Sequence, residues 1–288
     1  MDENISIISL NFSNKLHEVE RLQKEIWSFS NNQIVHSRLL ADMQRVGGLL
    51  LGAIDKKNKS LVGFLFGFVG FKNSEIKHCS YMLGVLPEFR SKGIGYLLKL
   101  EQRNYVMKQG INLITWTFDP LESINGNLNF RKLAGIAKEY KCDQFGFELG
   151  NHNDGLPSDR LVVDWRITDQ SVHQRLYPKK TPKRGKPFRC QDQDVGTINK
   201  TYITKDVLVM KDYNLKLNNS IILLEIPSNF QIIKQNDMKL ALEWRLSTRE
   251  IFKNYLSQNY IIKEFLTDID PETGNRKNYY VLAKQANF

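Results

Sequence analysis

The sequence predicts an α/β chain, and three observations point to it. Residues 17–27, "HEVERLQKEIW", and 37–46, "SRLLADMQRV", carry apolar side chains three and four apart, the spacing of amphipathic helices. Residues 49–71 hold two apolar runs of strand length around the polar turn "DKKNKS", a hairpin signal. Beyond them, strand-like and helix-like segments alternate.

In chain order, the two helices and the hairpin are followed by a third strand, "SYMLGVLP" at 80–87. A helix over 94–109 is stopped by Gly110, and "INLITWTF" at 111–118 is a buried strand rich in β-branched and aromatic residues. After "DPLESING" the spacing predicts a helix over 128–140, then strands over "DQFGFEL" and "LVVDWRI" at 161–167. From about Thr168 to Asn219 the chain turns polar, prolyl and poorly periodic, although "TYITKDVLVM" has strand character. The segment 220–288 reads as a strand, a helix over "DMKLALEWRLSTREIFKNYL", and a hairpin closed by "PETGN". It is small for an independent core. We therefore divide the chain into a domain at 1–168, a connecting segment at 169–219 and an extension at 220–288.

The chain has 288 residues, enough for two domains or for one with a large extension. With 41% hydrophobic and 25% charged residues it is neither disordered nor a coiled coil. The longest apolar run, at 61–71, is shorter than the roughly 18 residues of a membrane span. The acidic start "MDENISIISL" lacks a signal peptide's basic region and apolar core. A cytoplasmic protein is the expectation. Cys79, Cys142 and Cys190 are far apart, and the five histidines show no ligand spacing, so neither a disulfide framework nor a metal is expected. The net charge of +10 raises nucleic acid as a partner, but the densest basic cluster, "PKKTPKRGKPFRC" at 178–190, has one aromatic residue and three prolines. Base stacking needs aromatic interleaving, so a solvated loop is the better reading and nucleic acid is not expected.

Chemistry concentrates in "PEFRSKGIGYLLK" at 87–99, where a strand gives way to a helix. A Walker A loop does not fit, and Leu98 occupies the third glycine position of a dinucleotide fingerprint. What remains is Arg90, two residues, Gly93, one residue, Gly95. Backbone N–H groups at such a turn point one way, the helix dipole adds positive potential, and missing Cβ atoms let a diphosphate approach the main chain. The plainer alternative is that the glycines serve only a tight turn and close helix packing.

"VLPEFRSKGIGYLLK" resembles the acyl-CoA-binding motif of the GNAT superfamily of N-acyltransferases, a strand ending in V-x-P followed by R/Q-x-x-G-x-G/A. "YMLGVLPEFRSKGIGYLLKLEQR", "WTFDPLESINGNLNFRKLAG", "GLPSDRLVVDW", "EIPSNFQ" and "ALEWRLSTREIF" are further similar to a bacterial branch linked to N-acylamino acid metabolism, including N-succinylation. The resemblance implies a mixed, mostly antiparallel twisted sheet flanked by helices. It also implies acetyl-CoA or succinyl-CoA as co-substrate, a small-molecule amine as acceptor, and room for a homodimer. By matching position, the backbone of Ser91, Lys92, Gly93, Ile94 and Gly95 would hold the diphosphate, with Arg90 at its edge. Leu83, Gly84 and Val85 would pair with the pantetheine arm, the Val85 amide near the thioester carbonyl, and Asn125 would face the cofactor.

Two departures matter. Phe130 stands where many GNAT enzymes place a tyrosine that protonates the departing thiolate, and Tyr81 stands where the branch usually has a histidine. Tyr81 is thus one candidate acid, water the other. For the base, Asp119 and Glu122 in "TFDPLES" follow the strand that borders the cleft, although Asp before Pro also initiates turns and Glu122 suits a solvated loop. Arg245 and Arg249, one helical turn apart, either hold a carboxylate or form a solvent face with Glu243 and Glu250, and the solvent face is the expectation.

Overall fold

The computed structural model describes residues 4–10, 15–146, 155–178, 194–270 and 274–285. Most of the basic cluster, with Cys190, lies outside the described residues, as does "FEL" at 147–149. The chain divides into two compact units, one made of 1–116 with 166–169, the other of 117–165 with 170–288.

The first unit holds β1 (Ile5–Ser9), α1 (Leu16–Trp27), α2 (Ser37–Arg45), β2 (Leu49–Asp55), β3 (Ser60–Lys72), β4 (Glu75–Val85), α3 (Ile94–Lys108) and the first four residues of β5 (Leu113–Phe118). Strands run in the order β1-β2-β3-β4-β5. Every neighbouring pair is antiparallel except β4 with β5, which is parallel. The expected hairpin is β2–β3. Val19 and Leu22 of α1, Leu40 of α2 and Ile94 and Leu98 of α3 bury against Leu50, Leu51, Phe64, Leu65 and Phe66 of the sheet. Gly110 ends α3 in the left-handed region at φ +74°, where glycine is favoured.

In the second unit, a short helix α4 (Ser123–Gly126) and a π-helical turn, Asn127–Lys132, precede β6 (Ile136–Lys141) and β7 (Arg160–Arg166). The chain continues through α5 (Gln170–Leu176), β8 (Val195–Thr197), β9 (Asn199–Thr204), β10 (Val207–Tyr213) and β11 (Ile221–Ile226). It closes with α6 (Phe230–Asn236), α7 (Met238–Ser257), β12 (Tyr260–Ile269) and β13 (Arg276–Lys284). The strand order is β7-β6-β12-β13-β11-β8, with β9 and β10 forming a separate hairpin. Its aromatic core centres on Tyr280, whose ring lies 5.8 Å from Phe130, 5.4 Å from Phe252 and 5.0 Å from Phe265. Both units are thus mixed α/β with mostly antiparallel sheets and flanking helices.

Two expected elements take other forms. The helix over 128–140 ends by Lys132: Ala134 is left-handed at φ +55°, and residues 136–141 pair with β7 instead. A Cβ at Gly135 would sit 2.8 Å from Val163 Cγ1 and 3.0 Å from the Asn129 carbonyl oxygen, so this crossing admits no side chain. The first half of "DQFGFEL" is a turn, because Asp143 accepts hydrogen bonds from the Ser158 N–H at 3.0 Å and its hydroxyl at 2.9 Å. That polar network removes the segment from a ladder.

Candidate functional site

The turn from β4 into α3 is built as a close approach requires. After Val85, Pro87–Phe89 form one 3₁₀ turn, and Gly93 then adopts φ +83° as the residue before the first helical turn. No side chain caps that helix start. A Cβ at Gly93 would meet nothing within 4 Å, so its glycine is required by backbone angle and not by internal packing. Ser91 is also left-handed, at φ +63°. The first N–H groups of a helix lack intrahelical acceptors and carry the positive end of its dipole. Those of Ile94 and Gly95 therefore offer an anion donors and potential together. Arg90, exposed, donates through Nε to the Val85 carbonyl at 3.2 Å, which holds its guanidinium beside the turn. Ser91 and Lys92 are exposed as well.

Behind the turn, β4 from Ser80 onward is paired on one side only, against β3. Against β3 its register is continuous except at Tyr81, an extra residue between the pairs Phe66↔Met82 and Gly67↔Ser80. Against β5 the recorded pairs are His78↔Ile114 and Cys79↔Thr115. From Ser80 to Val85, which includes Leu83, Gly84 and Val85, β4 thus turns an open hydrogen-bonding edge toward the side where β5 has left. A β-bulge bends the strand that carries it. The bulge at Tyr81 and the divergence from β5 begin at the same place. Tyr81 is 60% exposed, its ring 6.0 Å from Phe66 and 5.7 Å from Phe68.

A polar cluster lies at that divergence. Lys99 on α3 is 2% exposed and donates through Nζ to the Ser80 hydroxyl at 2.8 Å and to Gln102 Oε1 at 3.2 Å, with its nitrogen 3.4 Å from the centre of the Trp116 ring on β5. Burial pushes the Lys99 ammonium well below the usual lysine range. His78 is fully buried, and neither ring nitrogen has a hydrogen-bond partner; burial, reinforced by the Lys99 charge, holds it down to about 4. The sequence reading missed this cluster. Its signal was present: Lys99, Gln102 and Arg103 fall beside Ile94, Leu98 and Val106 on the buried face of α3.

The remaining candidates belong to the second unit. Asp119 accepts from Nη1 of Arg245 at 2.9 Å and also from Nη2, with Arg160 4.0 Å away. Although burial acts the other way, Arg245 and Arg160 leave the Asp119 carboxyl below the usual carboxylate range. Asp119 also accepts from the Leu121 N–H at 2.9 Å, so the turn role read from Asp-Pro is real. Glu122 accepts from Gln231 Nε2, and burial together with the Asp119 charge raises its carboxyl. Asn125 is exposed on α4. Arg245 is 1% exposed, and Arg249 pairs with Oδ1 of the buried Asp159 at 2.6 Å, so the expected solvent face is not one. The helix turns inward here because Asp119 and Asp159 supply charges that the α7 sequence alone does not show.

Phe130 is fully buried, 5.9 Å from Phe118. Among the described residues, no group of three His, Cys, Asp or Glu could hold a metal, and no helix is long and apolar enough to cross a membrane.

No protein-family model matches the chain, and no curated protein does. Among solved structures it is similar to the ribosomal-protein-S18-alanine N-acetyltransferase of Escherichia coli, at 14% identity and a TM-score of 0.45, over 57% of this chain and 95% of that one. A GNAT family acetyltransferase from Elizabethkingia anophelis with acetyl-CoA bound is similar at 15% identity and 0.44, over 57% and 99%. An aminoglycoside 6'-acetyltransferase type Ii is similar at 15% identity and 0.45, over 57% and 99%. At this level of likeness, function has to be read from the chain's own residues.

Proposed function

We propose that the chain is an acyl-CoA-dependent N-acyltransferase of the GNAT superfamily, acting in the cytoplasm. It moves an acetyl, succinyl or similar group to the amine of a small molecule such as an amino acid. The observation that carries this reading is the turn at Arg90–Gly95, an uncapped helix start whose glycine is fixed by a positive φ and meets nothing. It joins the open edge of β4, and diphosphate and pantetheine are the two parts of CoA that would use these two features. The functional division is an acyl-CoA-binding domain at 1–168, a connector at 169–219 and an extension at 220–288.

Amine attack on a thioester needs a base for the ammonium proton, donors for the oxyanion and a proton for the thiolate. Of the two carboxylates, Glu122 suits the base better, because its carboxyl is raised toward working pH while Asp119 is tied to Arg245. Phe130 favours a second reading, a GNAT fold that binds acyl-CoA as a sensor without turning it over. The deciding experiment supplies acetyl-CoA or succinyl-CoA with each common amino acid and measures free thiol. Release that depends on the amine supports the enzyme; CoA binding with no release under any combination supports the sensor.

A further inference from the structure

We propose that Ser80, loaded by Lys99, is the catalytic residue that carries a proton from the attacking nitrogen to the departing sulfur. This deepens the acyltransferase reading and rests on it. Ser80 is the first β4 residue past the recorded β4–β5 pairs. The Lys99 nitrogen touches both strands there, through the Ser80 hydroxyl on β4 and the Trp116 ring on β5, and so closes the opening on the α3 side.

Reach places the thioester at the same spot. With the diphosphate on the turn, the pantetheine arm runs back along the open edge from Val85. Five residues of strand cover about 16 Å, on the order of an extended pantetheine arm. The reactive sulfur then arrives near Ser80, a placement that departs from the one the resemblance implies, which puts the thioester carbonyl beside the Val85 amide.

The protons balance without an outside reagent. The free amine attacks the carbonyl carbon, the C–N bond forms, and the nitrogen of the tetrahedral adduct is positively charged. Ser80 takes one proton from that nitrogen while passing its own to the neutral Lys99 amine. On collapse the C–S bond breaks with its electron pair on sulfur, Ser80 gives the sulfur a proton, and Lys99 returns one to Ser80. The products are amide and thiol, and both side chains end as they began. Such a shuttle runs only in molecules whose Lys99 amine is unprotonated, a form that burial favours and that rising pH populates further. Among charged and titratable neighbours, β4 contributes His78, held neutral by burial. From α3 comes Arg103, which donates to the Ile167 carbonyl at 2.9 Å. The β5 segment "LITWTF" contains no titratable residue.

The test compares wild type, Ser80→Ala and Lys99→Met by thiol release from acetyl-CoA with a saturating amino acid across pH 6 to 10, with CoA calorimetry in parallel. Both variants should lose about 10²-fold in kcat, the low end of proton-transfer catalysis, with KM for acetyl-CoA and CoA affinity within about threefold. Wild-type kcat should rise with pH as Lys99 loses its proton, and Lys99→Met should lose that rise, a change a merely structural lysine would not produce. Variants that keep wild-type kcat, or Lys99→Met with the wild-type pH profile, overturn the shuttle and leave the acyltransferase reading standing. A wild type that binds CoA and releases no thiol overturns both. Should Lys99→Met fail to fold, Ser80→Ala alone decides.

Discussion

Gly93 and the two carboxylates of "TFDPLES" show how differently single residues translate from sequence to structure. At Gly93 the sequence allows either a close approach or a tight turn with close helix packing, and its φ of +83° with open space around it is compatible with the first and removes internal packing as a reason. Gly93→Asp places a strained side chain and a negative charge where a diphosphate would lie. Calorimetry with CoA should show affinity falling at least tenfold, about 1.4 kcal/mol, in a variant that still folds. Equal affinity in a folded variant removes the cradle.

Asp119 and Glu122 were equivalent in the sequence and are not in the structure. Asp119→Asn leaves Arg245 buried opposite a neutral group, a loss of about 3–5 kcal/mol by analogy with other broken buried pairs. Its signature should therefore be a lower urea midpoint. Glu122→Gln should instead lower turnover by about 10²-fold or more at unchanged stability, with partial recovery at high pH, where the amine arrives deprotonated. If Asp119→Asn alone cuts turnover in a stably folded protein, the roles are reversed.

Among elements, β4 does most to shape the cradle. Its bulge at Tyr81 coincides with the end of its recorded pairs to β5, and its partner strand has glycine at the closest crossing. A Cβ at Gly67 would collide with His78 Nε2 and lie 2.8 Å from the Cys79 carbonyl oxygen. Gly67→Ala should thus force β3 and β4 apart at the bulge, costing about 1–3 kcal/mol as overpacking does. Urea unfolding would show it, and a variant as stable as wild type would mean that the bulge absorbs a methyl group freely. The helix expected over 128–140 fails at the same scale. Periodicity sees a run of apolar residues at helical spacing, but a strand-side requirement at Gly135 and the ladder to β7 outrank local propensity.

Over the whole molecule, buried ionisable groups set how stability follows pH. His78 is held down to about 4 in the fold against 6.5 in the open chain, so below 6.5 the unfolded chain takes a proton that the folded one refuses. The stability it contributes is complete above pH 6.5 and is lost as pH falls toward 4. At 1.36 kcal/mol per pH unit the loss is about 3 kcal/mol. Asp119 adds a loss of the same sign at lower pH, and Glu122, being raised, opposes it. Thermal melts at pH 7, 5.5 and 4 should fall steeply, and His78→Phe should flatten the drop between 6.5 and 4. An unchanged slope in that variant would show that His78 is already charged in the fold.

The sequence alone determined the class of the fold, the β2–β3 hairpin, the extent of α3 and the glycine turn, because each depends on local chemistry: spacing, turn residues and the backbone freedom of glycine. It did not determine which charges meet. Lys99 with Ser80 and Trp116, and Arg245 with Asp119, join residues 17 to 126 positions apart. Whether an arginine faces water or a carboxylate, and whether a lysine is an ordinary cation or a buried amine, depends on the dielectric and partners that packing supplies. Those exist only once the strands and helices have been brought together.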